Sequence, residues 1–257
     1  MTRVAIHRVV TELAARAPRV GVFLDLDGTL APIVARPELT RILPEVRPTL
    51  TRIARRLDVV AVISGRPSAQ VRELVDVDGV VIVGTHGLED EEAMTAQVFE
   101  ELEAAAAAVG AWVEPKGAAA AVHFRGLEEP EAAEAASAER LAAIAMTHGL
   151  EILSGKRIVE LMPAGRPRKG GAVERIARER RLDGVLFAGD DVGDLDAFAA
   201  LGRLRAGGMW TCGVAARGLE TPREVDAAAD LVVDGPRGVE ALLAAIADEL
   251  DRRAPAP

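Results

Sequence analysis

An α/β fold, a Rossmann-like parallel sheet with a smaller α+β cap inserted into it, is what this 257-residue sequence predicts. Three observations carry that expectation. Apolar runs, several rich in β-branched residues, alternate with amphipathic stretches on both sides of an alanine-rich middle segment, the order of βαβ units in a parallel sheet. Inside the middle segment, short runs alternate or border apolar and charged residues, as half-exposed antiparallel strands do. Several outer runs stop abruptly at Asp, Ser, His or Gly-Asp-Asp, and ligands of open α/β sheets bind at the carboxyl edge of the strands.

The first strand is the run 20–24, which ends in Asp25-Leu26-Asp27-Gly28-Thr29. No basic residue lies between Gly21 and Val34, so the two acids repel each other unless a cation joins them. Residues 44–57 place Val46, Leu50, Ile53, Ala54 and Leu57 at helical spacing. The run 59–63 ends at Ser64-Gly65-Arg66, and Pro67 opens a second short helix. A third strand, 80–83, ends at Gly84-Thr85-His86-Gly87. In the middle segment, 93–109 and 130–147 read as helices, and 111–116, 119–125 and 157–161 as strands. Pro163 and Pro167 suit a return linker. The outer pattern then resumes with a helix at 170–181 and a strand at 184–188 ending in Gly189-Asp190-Asp191. A helix at 194–201, a strand at 211–216 and a final helix at 238–251 follow, with a disordered tail expected after Arg253. The reading is a discontinuous core, 1–88 and 165–257, around an insertion, 89–164.

Apolar residues at 49% and charged residues at 28% are globular proportions. No run approaches the ~18 apolar residues of a membrane span, and the N-terminal segment lacks the apolar stretch of a signal peptide. The single cysteine, Cys212, excludes an internal disulfide, fits a cytoplasmic protein and reads as inert packing. A net charge of −9 argues against nucleic-acid partners, while an anionic substrate requires a local cluster of cations. Of 31 basic residues only Lys116, Lys156 and Lys169 are lysines, which marks each as a candidate for a place needing a compact ammonium. A monomer is the default expectation.

Asp25 and Asp27, Ser64, His86, and Asp190 with Asp191 all stand at strand ends, which a parallel sheet gathers on one edge. Lys169 precedes a helix whose N-terminus also favours an anion. Carboxylates for a cation and for nucleophilic attack, a hydroxyl and a lysine are the equipment of phosphoryl transfer through an aspartyl-phosphate. An all-carboxylate ligand set points to Mg²⁺ rather than zinc.

In order and spacing, Asp25-Leu26-Asp27-Gly28-Thr29, Ser64, Lys169 and Gly189-Asp190-Asp191 resemble the four motifs of the haloacid dehalogenase-like phosphatases. The resemblance implies Asp25 as nucleophile and Asp27 as general acid and then base. It implies Ser64 and Lys169 on the phosphoryl oxygens, and Mg²⁺ on Asp25, the Asp27 backbone carbonyl and Asp190. Asp191 and Asp194 would orient Lys169 or the metal's waters. Ser64-Gly65-Arg66 and Thr85-His86-Gly87-Leu88-Glu89 in the core are similar to signatures of trehalose-6-phosphate phosphatases. So are Glu114-Pro115-Lys116, His123-Phe124-Arg125 and Val159-Glu160-Leu161-Met162-Pro163 in the insertion. That narrower resemblance spans about residues 20–240 and implies Glu114, Lys116, Arg125 and Glu160 on sugar hydroxyls. Thr29, Gly65, Arg66, His86 and His123 join them as substrate-binding positions, and the resemblance leaves association with a trehalose-6-phosphate synthase open. Two departures stand out: Val192-Gly193-Asp194-Leu195-Asp196 where the family usually has x-Thr-Asp-Glu-Asp, and Phe124 where tyrosine is common. The competing readings are a phosphatase of the same fold for another sugar phosphate and a catalytically silent regulatory module.

Overall fold

Continuous apolar runs bounded by turns become parallel strands buried on both faces, because helices cover each side of the sheet. The computed structural model describes residues 3–88, 91–165 and 168–254. The first stretch forms α1 (Arg3–Ala14), β1 (Val20–Leu24), α2 (Val46–Ala54), β2 (Val59–Ile63), α3 (Ser68–Val75) and β3 (Val80–Val83). The insertion supplies α4 (Ala96–Ala107), β4 (Trp112–Lys116), β5 (Ala119–His123), α5 (Pro130–His148), β6 (Leu150–Gly155) and β7 (Ile158–Pro163). The chain returns through α6 (Lys169–Glu179), β8 (Gly184–Gly189) and α7 (Leu195–Ala206). It closes with β9 (Trp210–Arg217), α8 (Arg223–Ala228), β10 (Leu231–Asp234) and α9 (Gly235–Arg253).

The six-stranded sheet runs β10-β9-β8-β1-β2-β3, all pairs parallel. β1 lies in the middle, with Leu24 opposite Val62 of β2 and Ala188 of β8. Its side chains alternate between two apolar layers. Val22 and Leu24 pack with residues of α1, α2, α3 and α9, whereas Phe23 packs with those of α6, α7 and α8. The strands on both sides of β1 are thereby fixed in register, and their carboxyl ends form one rim.

The insertion is a four-stranded antiparallel sheet, β4-β5-β7-β6. One face carries Ala120, Val122, Val159 and Leu161 against Leu102 of α4 and Leu141 of α5. On the other face Glu114 stands opposite Ala121, Ala121 opposite Glu160, and Glu160 opposite Leu153. The methyl side chain of Ala121 leaves room between the two glutamates for longer groups to converge.

The α/β class holds, and several boundaries move. The helix expected at 93–109 starts at Ala96, capped by the Thr95 hydroxyl, which accepts the Val98 N–H at 3.4 Å. Pro67 caps α3 rather than opening it. The strand expected at 119–125 ends at His123. The structure adds α1, β6, α8 and β10 to the elements expected from the sequence. β6 is a sheet edge whose residues are half-buried or exposed, and it follows directly on Gly149, the left-handed cap of α5, so neither a clean alternation nor a polar turn announces it. Glu89, Pro167 and the last residues of the tail lie outside the described residues. No helix among the described residues is long and apolar enough to cross a membrane. Cys212 is buried in β9, and burial pushes its thiol pKa up to about 12.

Candidate active site

Asp25 continues the ladder one residue past β1: its N–H donates to the Ala188 carbonyl at 2.9 Å. The chain then turns tightly, with the Leu30 and Ala31 N–H groups donating to the Leu26 carbonyl at 2.8 and 2.9 Å. Gly28 sits in this turn at φ 86°, and a Cβ there would overlap the Asp190 carboxylate. Conformation and space both require glycine. Thr29 Oγ1 donates to Asp190 Oδ1 at 3.2 Å, so the β1 turn and the β8 end grip one another.

Lys169, the first residue of α6, donates from Nζ to Asp25 Oδ1 at 2.6 Å and to Asp194 Oδ1 at 2.7 Å. The other Asp194 oxygen accepts the N–H groups of Asp190 and Asp191 at 2.8 and 3.0 Å. Asp194 is therefore engaged through both oxygens and fixes the turn after β8. Burial opposes the charge on Lys169, but Asp194 and Asp25 more than offset it and hold the ammonium protonated. For Asp25, burial, with Asp194 and Asp190 nearby, pushes the carboxyl well above its usual range against the pull of Lys169. Asp190 is pushed up to about 7, chiefly by burial.

Asp25, Asp190 and Asp194 each place an oxygen within 4.8 Å of the other two. Three buried carboxylates facing one point, two of them with raised pKa values, suit a hard divalent cation. Because Asp194 is committed to Lys169 and two N–H groups, Asp25 and Asp190 are the side chains that fit such an ion. A cationic group already touches this point, since Lys156 Nζ pairs with Asp190 Oδ2.

Asp27 has a different cationic partner. Arg66 grips it as a fork, Nε to Oδ2 at 2.6 Å and Nη2 to Oδ1 at 2.8 Å. Thr40 Oγ1 and the Pro37 carbonyl hold the same guanidinium at 2.7 and 3.0 Å. Ser64, buried at the end of β2, accepts the Arg66 N–H at 3.2 Å.

Across the cleft lies a polar cluster on the open face of the inserted sheet. Glu160 takes Lys116 Nζ on Oε1 and His86 Nε2 on Oε2, each at 2.7 Å. Glu114 pairs with His123 at 2.9 Å and stands 3.7 Å from Lys116. Burial works against the charge of Glu160, yet Lys116 and then His86 hold its carboxyl far below the usual range. His86 reaches over from the core with φ 56°, a left-handed conformation uncommon outside glycine. A Cβ on Gly65 would come within 2.6 Å of His86 Nε2, so that glycine admits the His86–Glu160 contact. His123 stacks on Trp112 with centroids 4.0 Å apart.

The structure thus brings Asp25, Asp27, Ser64, Gly65, Arg66, His86, Glu114, Lys116, His123, Glu160, Lys169, Asp190 and Asp191 to one cleft. Thr29 and Asp194 lie just behind its wall, bonded to Asp190 and Lys169. Arg125 lines the cleft too, but its guanidinium is spent on Glu220, at 2.7 and 3.2 Å, and on the Lys156 carbonyl at 2.9 Å. Thr40, Lys156 and Glu220 are additions that the motif reading did not assign. The scarcity of lysine was the one signal for Lys156; nothing in the sequence marks the other two.

Residues 23–221 match the trehalose-phosphatase family. The trehalose-phosphate phosphatase of Mycolicibacterium paratuberculosis is 31% identical over 261 residues, taking in 93% of this chain and 64% of that protein. An uncharacterized glycosyl hydrolase of Mycobacterium tuberculosis is 36% identical over 214 residues, 74% of this chain and 16% of that protein. The chain spans less than two thirds of the length of either relative. In fold it is similar to the C-terminal domain of the C. albicans trehalose-6-phosphate phosphatase, with a TM-score of 0.79 and 22% identity over 94% of this chain and 96% of that one. The family match runs from the strand that presents Asp25 to the loop that carries Glu220, through both walls of the cleft, and the chain belongs to the trehalose-phosphatase family.

Proposed function

We propose that this chain is a phosphatase that hydrolyses trehalose 6-phosphate to trehalose and phosphate, with the core handling the phosphoryl group and the insertion, 89–164, the sugar. The observation that carries this reading is the division of the cleft into two walls. On one stands Asp25 under the ammonium of Lys169; on the other stands the Glu114–Lys116–Glu160 cluster. A disaccharide presents many hydroxyls, and charged partners make the stronger hydrogen bonds to them.

In the proposed mechanism Lys169 holds Asp25 Oδ1, so Oδ2 attacks phosphorus. The bond from phosphorus to the sugar oxygen breaks, and Asp27 gives that oxygen its proton. Water then attacks the phosphorus of the aspartyl-phosphate, Asp27 takes the water proton, and the acyl-phosphate P–O bond breaks to release phosphate and regenerate the Asp25 carboxylate. Ser64 and Lys169 bind the phosphoryl oxygens, and Asp27 leaves its fork with Arg66 to act. Asp25 and Asp190, with the Asp27 carbonyl, would hold Mg²⁺, which supplies charge neutralisation at the phosphoryl group. A phosphate-release panel over a dozen sugar phosphates with Mg²⁺ tests the reading. Trehalose 6-phosphate should lead by at least tenfold in kcat/KM, the discrimination that one or two lost polar contacts produce. A different leading sugar phosphate would reassign the substrate, and no release from any would point to a silent binding module.

A further inference from the structure

The three lysines of the chain converge on one cleft, each with a side chain no more than 8% exposed. Lys116 and Lys169 have places in the proposed reaction; Lys156 has none. It stands at the tip of a hairpin in which Gly155 pairs with Ile158, leaving Lys156 and Arg157 as the turn, with Arg157 at φ 65°. From that tip its ammonium crosses to the core and pairs with Asp190 Oδ2. Two features hold the tip there. Arg125 donates both to the Lys156 carbonyl and to Glu220 on the core, strapping the turn down. Gly155 lies so near the core that a Cβ would be 2.9 Å from Asp191 Oδ2.

We propose that Lys156 is a tethered counter-cation: when no divalent ion is on Asp190, its ammonium neutralises that carboxylate and latches the insertion onto the core. The inference rests on Asp190 being a metal carboxylate, as proposed above. A metal ion and an ammonium cannot share Asp190 Oδ2 without strong repulsion, so metal binding and the latch compete. Loading the metal therefore frees the hairpin tip and opens the cleft to a sugar phosphate, which sets metal before substrate.

Calorimetric titration of Mg²⁺ into the substrate-free protein tests this. K156M, a side chain of similar length without the charge, should bind Mg²⁺ about tenfold or more tightly than wild type. Competition lowers apparent affinity by the fraction of molecules with the site free. E220Q, which keeps the lysine and weakens the strap, should shift affinity the same way by a smaller factor. Amide exchange in residues 150–163 should quicken when Mg²⁺ is added to the wild type. Unchanged or weaker affinity in K156M, or exchange that slows on adding Mg²⁺, would overturn the latch. D190N separates the two ideas. If it binds Mg²⁺ as wild type does, the metal reading fails and takes the latch with it. If it loses binding while K156M gains none, the latch alone falls.

Discussion

Asp25 and Asp27 stand two residues apart and face different cations. Asp25 is buried and meets a single ammonium at 2.6 Å, a point charge that occupies one oxygen and leaves the other to react. Asp27, half-buried, is held at both oxygens by the planar fork of Arg66, a grip that fixes orientation as well as charge. The roles proposed for the pair follow from that difference. D25N keeps the shape and replaces the proposed nucleophile with an amide. Because uncatalysed phosphomonoester hydrolysis is among the slowest reactions known, no background route can compensate. Turnover of D25N should therefore fall to background while circular dichroism and thermal melting stay near wild type; a rate within about tenfold of wild type would exclude the covalent step. At this scale the sequence was legible wherever a strand end met a polar residue, as at Asp25, Ser64 and Asp190. It was not legible for Glu220, an acid in a loop between β9 and α8, because its role depends on where the hairpin tip of another segment lands.

The inserted sheet shows how one register places a whole set of groups. Glu114 and Glu160 flank Ala121 in a single row across β4, β5 and β7, and Lys116, two residues along β4, points to the same face. Lys116 is a poor site for a test. Removing it leaves Glu160 buried without its ammonium, a loss of about 3–5 kcal/mol for a broken buried pair, and the insertion itself would suffer. E114Q keeps the volume and the partner geometry while removing the charge. It should lower kcat/KM on trehalose 6-phosphate by roughly ten- to a hundredfold, from about 1.5–3 kcal/mol for a charged hydrogen bond. A small aryl phosphate, which lacks the sugar, should be hydrolysed almost as by wild type. Equal losses on both substrates would assign Glu114 to cap closure instead. The elements themselves were readable where burial is continuous, as in β2 and β8. They were hidden where an edge strand such as β6 is half-exposed, or where α1 gains its apolar partners only by packing beside α9.

Ion pairs join the two parts of the molecule. Each of the pairs His86–Glu160, Lys156–Asp190 and Arg125–Glu220 joins a residue of the core to one of the insertion. Among the described residues, Leu88 of the core also packs with Ala118, Ala119 and Met162 of the insertion, with Leu153 against them. An interface of this kind permits relative motion, and the carboxylate rim of the core is held by contacts within the core, Lys169 with Asp25 and Asp194. That rim concentrates Asp25, Asp190 and Asp194, and burial, with the neighbouring acids, keeps the carboxyls of Asp25 and Asp190 raised even though Lys169 and Lys156 pull them down. A cation that binds the folded rim and not the unfolded chain must therefore stabilise the protein. At a hundredfold excess over Kd, linkage gives about 2.7 kcal/mol, which for a chain of this size is a rise in melting temperature of about 5–10 °C. Scanning calorimetry in Mg²⁺ against EDTA should show that rise in wild type and lose it in D190N, because Asp190 is the proposed metal carboxylate. Equal melting temperatures in Mg²⁺ and EDTA, or a shift that survives in D190N, would mean that the carboxylate rim is organised by Lys169 and Lys156 alone.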